Sequence, residues 1–461
     1  MTMRNLFVAV LLVIITISCS QKSDPAPNQQ NNSGSSGNSS SNGNSNTTPP
    51  TYSVGPSQTI KKLQDIVAKL KPGDIVEVDG NAEYTGGITL SVDGTADKPI
   101  VIRGKKVNGK RPVIREGNDR VIIVNSAFTS LEGLEVAGKT DETTKAGIGV
   151  YANKITIRDC VIHDCRNGIL GYGSDTGDVL VEYCDIYNCG GEPKGSFDFA
   201  HQIYMATDEV AFPNAVFRLQ HCYIHNAKGG NDVKSRSGRN EIYYNWIEGA
   251  KYHALDLIGP DLSDNDDVTV TTKREDSDVV GNVLFAASGG SAARIGGDGT
   301  GATFGRYRFV NNTFILANNG DALRGQDDIE SAELHNNIFN KSGSQADIFS
   351  ESGISWVNNQ RQVKGSNNFI QTGSSNIPAG LTGTIAGASL DFVDAAAKNF
   401  KLKSSSGAVN TGTESPQSFA NAFPNPLFPP AFHPSLHMLE ETGKAETRPV
   451  NGTIDIGAFE Q

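Results

Sequence analysis

One short phrase recurs along this chain, with its first residue at Cys160, Cys184, Cys222, Asn245, Asn282, Asn312, Asn337 and Asn367. Its members include Cys160-Val-Ile-His-Asp-Cys165, Cys184-Asp-Ile-Tyr-Asn-Cys189 and Asn245-Trp-Ile-Glu-Gly-Ala250, each with an apolar residue two places after the leading Asn or Cys. Steps between phrases are 24, 38, 23, 37, 30, 25 and 30 residues. A unit of roughly two dozen residues, lengthened by insertions, is how a solenoid is written. Units this short, rich in Val, Ile and Phe, cannot be helix pairs, and the regular Leu spacing of a leucine-rich horseshoe is absent. The period predicts an all-β chain folded as a right-handed parallel β-helix. The leading Asn column would then be an inward corner ladder bonding the next coil, with small Cys taking its place in the first three coils. With 50 Gly in 461 residues and only 7% aromatics, the composition suits a turn-rich solenoid with a thin core.

Both ends read as caps. Apolar residues at Ile60, Leu63, Ile66, Val67 and Leu70 have helical spacing and stop at Pro72-Gly73, which predicts an N-terminal capping helix over the open first coil. From about Phe400 to Gln461 the repeat disappears, so an irregular C-terminal cap over 400–461 is expected to pack on a β-helix domain spanning 52–399.

Upstream, Arg4 precedes an apolar run at 6–17, then Ser18 and Cys19, the pattern of a bacterial signal peptide over 1–19. Thr16-Ile-Ser-Cys19 resembles a lipobox, which makes Cys19 the expected lipidation site. Residues 20–51, mostly Ser, Asn, Gly, Gln and Pro, read as a flexible tether. The expectation is an exported lipoprotein held in the outer membrane by lipid on Cys19, facing the periplasm or the cell surface of a Gram-negative bacterium, and acting as a monomer. Five cysteines remain after Cys19, an odd number, so at least one is unpaired within the chain. Cys160 and Cys184 share one column and Cys165 and Cys189 another, which fits stacked buried thiols better than bridges.

Chemistry on a β-helix belongs to side chains that point outward in columns. Aligning the strands after each phrase by their inward residue gives an outward column of Tyr204, Lys234, Asp256, Arg294 and Arg324. Arg236 and Asp232 flank Lys234 at two residues on either side, Arg239 follows, and His201 and His253 lie beside the row. A lone cation on a strand face is ordinarily only solvated. Cations clustered on adjacent coils of a chain with net charge −11 break the rule against stacking like charges, as functional sites do. Such a patch would bind a carboxylate or sulfate and shift the pKa of a neighbouring base. Asp232 and Asp256 are also weak candidates for Ca²⁺, as is the acidic stretch Asp261-Leu-Ser-Asp264-Asn-Asp266-Asp267, which lacks the spacing of a known Ca²⁺ loop. No P-loop, dinucleotide fingerprint, nucleophile elbow or zinc motif is present, and the acidic balance argues against nucleic acid.

A family resemblance enters on particular residues. Gly55-Pro56, Thr59-Ile60, Lys71-Pro72-Gly73-Asp74 and Lys98-Pro99-Ile100-Val101 resemble the opening segment of secreted β-helix polysaccharide lyases. Arg448-Pro449 with Asp455-Ile456-Gly457-Ala458-Phe459-Glu460 is similar to the closing phrase of bacterial β-helix carbohydrate-active proteins. Asp232-Val-Lys234-Ser235 with Asn240 and Asn245 resembles the stretch around the catalytic base of the alginate and chondroitin lyases of polysaccharide lyase family six. The resemblance implies that Lys234 abstracts the proton α to a uronate carboxyl. It also implies an assisting Arg on the next coil, where this sequence has Asp256, the nearest column Arg being Arg294. The expected activity is β-elimination of an acidic polysaccharide, with Lys234 as base and Tyr204 or His253 returning a proton. Arg236 and Asp256 complete the catalytic candidates; Arg294, Arg324, His201, Asp232 and Arg239 are the substrate-binding ones. Two other classes stay open, a glycoside hydrolase using Asp232 and Asp256 as its carboxylate pair and a glycan-binding solenoid without catalysis.

Overall fold

The computed structural model describes residues 48–116, 119–139, 144–172, 175–193, 199–259, 275–298, 303–353 and 356–461. The calls on the signal peptide, on Cys19, on most of the tether and on 261–267 lie outside these residues. Three parallel sheets of 13, 10 and 12 strands form the walls of a coiled β-helix, and sequence neighbours within a coil belong to different sheets. One coil is typical: Phe217–Gln220 lies in the 13-stranded sheet, Tyr223–His225 in the 12-stranded sheet and Val233–Ser235 in the 10-stranded sheet.

The corner between the first two of these strands is what the repeated phrase encodes. Asn245, Asn282, Asn312 and Asn337 are fully buried there. The backbone N–H of Asn245 donates to Asn282 Oδ1 at 2.8 Å, that of Asn282 to Asn312 Oδ1 at 2.9 Å, and that of Asn312 to Asn337 Oδ1 at 3.0 Å. Each amide nitrogen reaches back a coil as well, Asn282 Nδ2 to Ile242 O and Asn312 Nδ2 to Val279 O, both at 2.8 Å. The ladder therefore satisfies donors and acceptors that a turn buried between coils would otherwise leave unpaired. Cys222, Cys184 and Cys160 continue the column, with the Cys222 N–H on Asn245 Oδ1 at 2.9 Å and the Cys184 N–H on Cys222 Sγ at 3.4 Å. All five described cysteines are free and buried, and burial pushes the thiols of Cys160 and Cys184 well above the usual range.

One register differs from the reading of the sequence. The last rung is Asn368, whose Oδ1 accepts the Asn337 N–H at 2.9 Å, while Asn367 is the residue before it. The residue preceding every rung is left-handed: Asp159, Tyr183, His221, Tyr244, Asn311, Asn336 and Asn367 have φ between 52° and 58°, and Gly281 has 71°. Each bulky residue held there costs of order 1 kcal/mol or more, tolerated because hydrogen bonds on both sides over-determine the corner.

At the N-terminus the expected helix takes the form of two 3₁₀ turns, Leu63–Asp65 and Val67–Lys69. The apolar set still turns inward, with Leu63, Ile66 and Leu70 buried on the core. Ile66 sits between the turns at φ −124°, so burying it against the first coil outweighs a continuous helical ladder. Beyond the antiparallel pair Phe392–Asp394 and Asn399–Leu402 the chain is irregular and runs along the outside of the coils. Its anchors extend from the Cys222 coil, where Ser435 Oγ donates to Cys222 O at 3.4 Å, to the Asn367 coil, where Asn367 Nδ2 donates to Thr411 O at 2.8 Å.

Replacing Asn282 by Leu removes the acceptor for the Asn245 N–H and the donor to Ile242 O while keeping the volume similar. The variant should lose about 3 kcal/mol in chemical denaturation, because two buried backbone groups go unpaired. A loss below about 0.5 kcal/mol, the range of an ordinary surface change, would show that the ladder is not a stabilising element.

Candidate active site

Period-two alternation puts Val233, Ser235, Leu255, Leu257, Ala293 and Ile295 in the core and turns the residues between them outward. Cα partners across successive strands of the 10-stranded sheet then read Leu170, Tyr204, Lys234, Asp256, Arg294, Arg324 and Ser350. Side chains in this column stand one strand spacing apart, about 4.8 Å. Bare cations at that distance would repel strongly, and two carboxylates intervene. Arg294 donates Nε to Asp256 Oδ1 at 2.5 Å and Nη2 to Oδ2 at 2.8 Å, and Asn231 Nδ2 adds a bond to Oδ2 at 2.7 Å. Arg236 donates to Asp298 Oδ2 at 2.7 Å and to Gly259 O at 2.6 Å. Lys234 Nζ lies 3.9 Å from the same Asp298 carboxylate and 5.2 Å from the centre of the Tyr204 ring. Arg324 has no ion-pair partner among the described residues.

Lys234 lines a cleft of about 200 Å³ together with Asp256, Gly230, Asn231, His201, His253, Arg294, Phe199 and Tyr252. Burial pulls the Lys234 ammonium below the ordinary lysine range; Asp256 and Asp298 oppose this, and Arg236 and Arg294 push the same way as burial. Burial alone would raise the Asp256 carboxyl, but Arg294, with His253 and Lys234, holds it below the usual carboxylate range, so it stays ionised. Both histidines are neutral near pH 7, since burial pushes His201 down to about 3 and His253 to about 4. The Asn231 N–H donates to His201 Nδ1 at 3.0 Å, which places the proton of the neutral ring on Nε2. His253 Nδ1 lies 3.0 Å from Ser291 Oγ.

The structure moves several sequence candidates. Asp232 precedes the strand Val233–Ser235, where alternation has not begun; it is fully buried, accepts from Gln202 Nε2 at 2.8 Å on Oδ1, and is turned away from the Lys234 face. Burial raises its pKa well above the usual range. Arg239 has already passed the corner into the 13-stranded sheet, where it donates to Pro424 O at 2.9 Å and to Glu241, so it anchors the C-terminal segment and takes no part in the cleft. Arg236 is on the expected face, but its side chain is 4% exposed and engaged with Asp298, which makes it a buttress for Lys234. A Ca²⁺ ion does not fit the Asp232 and Asp256 carboxylates, because both Asp256 oxygens are held by Arg294 and Asn231 and Asp232 faces inward.

Four residues escaped the sequence reading. Asn231 ties three coils together, binding Asp256, the His201 ring and, through Oδ1, the His253 N–H at 3.2 Å. Asp298 is the shared counter-ion, 62 residues from Arg236 in sequence. Phe199 and Tyr252, 50% and 40% exposed, meet edge to face at 5.6 Å and form an apolar wall at the cleft.

The family described as right handed beta helix region matches residues 91–284, which supplies the hand of the coil. No curated protein sequence gives a match. Among solved structures, pectate lyase Pel9A is 15% identical with TM-score 0.46 over 87% of this chain and 90% of that chain. The family six polysaccharide lyase Pedsa3628 from Pseudopedobacter saltans is 13% identical with TM-score 0.41 over 70% and 90% of the two chains. The lacto-N-biosidase of Eubacterium ramulus is 12% identical with TM-score 0.37 over 73% and 67%. Likeness this distant assigns no chemistry to the cleft.

The Asp256–Arg294 pair carries a stability prediction. Asp256→Ala should lower the unfolding free energy by about 3 kcal/mol at pH 7, because it strands a guanidinium whose side chain is 19% exposed. Since the folded Asp256 pKa is depressed, the pair's contribution is present above the unfolded carboxyl pKa and is lost as pH falls through the folded value. Denaturant midpoints measured across pH should therefore converge for the two proteins in acid; a constant gap would place the effect in packing instead.

Proposed function

We propose that the protein cleaves a uronic-acid-containing polysaccharide by β-elimination at the Lys234 cleft. The observation that carries this reading is an amine with a depressed pKa that lines an outward cleft together with the Arg294 guanidinium two coils on. Elimination needs a base at the sugar C5 proton and positive charge at the C6 carboxylate, where the enolate-like charge develops. Lys234 in its neutral form takes the proton. The Nη1 of Arg294, 3.5 Å from Gln326 Oε1, supplies that charge, while Arg324, three strand steps from Lys234 and without an ion-pair partner among the described residues, would bind the carboxylate of another sugar along the chain. The C4–O bond then breaks as the C4–C5 double bond forms, and the leaving oxygen gains a proton from the Tyr204 hydroxyl, because neutral His253 has no imidazolium proton to give. His201 Nε2–H and the Phe199–Tyr252 wall would orient the sugar.

A glycoside hydrolase needs a protonated carboxylic acid and a second carboxylate at the bond to be cut. Asp256 is held ionised by Arg294, and Asp232, whose pKa burial raises, is fully buried behind Gln202. That arrangement favours elimination. We also propose export and lipid anchoring at Cys19, resting on the lipobox-like Thr16-Ile-Ser-Cys19. Cys19→Ser should then release the protein from washed membranes, and retention of the variant there would remove the anchor.

Lys234→Ala should abolish formation of ultraviolet-absorbing unsaturated uronide from alginate, polygalacturonate or chondroitin. Its melting temperature should be unchanged or higher, since the substitution relieves repulsion from Arg236 and Arg294. A depressed base pKa also sets the pH profile. Turnover should rise with pH as Lys234 loses its proton, with an inflection below the ordinary lysine value of 10.5. No inflection should appear near 6.5, because His201 and His253 are already neutral there. An inflection near 6.5 that vanishes in His201→Gln would transfer the base role to the histidine.

A further inference from the structure

The outward face of the 10-stranded sheet differs on the two sides of the Lys234 cleft. Past Arg324 it becomes acidic: Asp321 and Asp347 are Cα partners, and Ser350, the next column residue, donates to Asp321 Oδ2 at 2.6 Å. Asp347 is already engaged by Asn376 at 2.8 Å, and Glu351 by Arg361 at 2.6 Å. This end repels a polyanion.

In the other direction, past Tyr204, the column continues through Leu170 and Gly149 to Ile123. Leu170 is 8% exposed and Gly149 has no side chain, so the face is flat there. Its flatness is used: a Cβ on Gly149 would lie 2.9 Å from both Arg120 Cδ and the Tyr151 ring. The Arg120 guanidinium lies over the Tyr151 ring at 5.6 Å, and its buried Nε has no hydrogen-bond acceptor among the described residues. Tyr151 and Tyr172 meet edge to face at 5.9 Å on neighbouring coils, and Tyr172 is 40% exposed. Asp119 is shared between Arg120 at 3.0 Å and Lys145 at 3.6 Å, so two cations face one carboxylate. An aromatic platform with a positive edge, at the end of a flat floor, is the chemistry that holds the apolar face of a pyranose ring and its carboxylate.

We propose that Tyr151, Tyr172 and Arg120 form a remote subsite for an acidic sugar, so that the polysaccharide runs from the Lys234 cleft over the N-terminal coils. Lys234 and Gly149 are three strand steps apart, about 14 Å, so only a chain of several sugar residues reaches both. The inference rests on the reading of the cleft as a site for an acidic polysaccharide, and its test separates the two.

Full-length Lys234→Ala protein, which binds without cleaving, would be run in native gels containing alginate, polygalacturonate or chondroitin sulfate. At least one polymer should retard it. Adding Tyr172→Ala or Arg120→Ala should weaken apparent affinity by about three- to tenfold, while Asp347→Ala at the acidic end should not. In the active protein Tyr172→Ala should raise KM for polymer and leave kcat, and the kinetics of a disaccharide too short to span, unchanged. Retardation that is equal with and without Tyr172 and Arg120 overturns the subsite and leaves the cleft reading standing. No retardation by any of the three polymers overturns the cleft reading and the subsite with it. A loss that appears equally on the disaccharide places Tyr172 in the cleft's own support and also overturns the subsite.

Discussion

Coil-to-coil register is the constraint on which the rest of this molecule depends. A slip of one residue in any strand would send its core residues to solvent and its outward residues into the core. The Asn ladder fixes that register from inside. Each rung binds the coil before it through both its amide oxygen and its amide nitrogen, at a corner where the backbone has no regular sheet partner. The cost is a left-handed residue before every rung, accepted even for Tyr183, His221 and Tyr244.

Register also creates the cleft. Strand pairing carries Tyr204, Lys234, Asp256, Arg294 and Arg324 into one line, so groups far apart in sequence stand one strand spacing from each other. Crowding does the chemistry from there. Burial and two neighbouring guanidinium groups depress the Lys234 ammonium, while the same crowding holds Asp256 ionised and leaves both histidines neutral. Asn231 and Asp298 keep the arrangement from flying apart, one by tying three coils together and the other by sharing its charge between Lys234 and Arg236.

The sequence made the coils legible because a ladder needs one residue type at one position per coil. It misled by one residue at Asn367, since Asn368 beside it is chemically the same. The left-handed position before the rung was invisible, being filled by Asp, Tyr, His, Gly or Asn alike. The outward column was readable wherever period two applies. It failed for Asp232, which lies just before its strand, and for Arg239, which lies beyond the corner in another sheet. Asn231 and Asp298 sit in connections, where no periodicity says which way a side chain points. At the N-terminus helical spacing identified the buried residues, but packing on the coil decided the backbone.

The central claim is that the depressed Lys234 amine breaks the polymer by removing a proton, with no water added across the bond. The most direct measurement is the mass spectrum of oligosaccharides released by the wild-type protein from the acidic polysaccharide it degrades. The account predicts one unsaturated terminal residue per cut, each product carrying that end being lighter by one water than its hydrolytic counterpart. Products with saturated ends only, at the full hydrolytic mass, would contradict it.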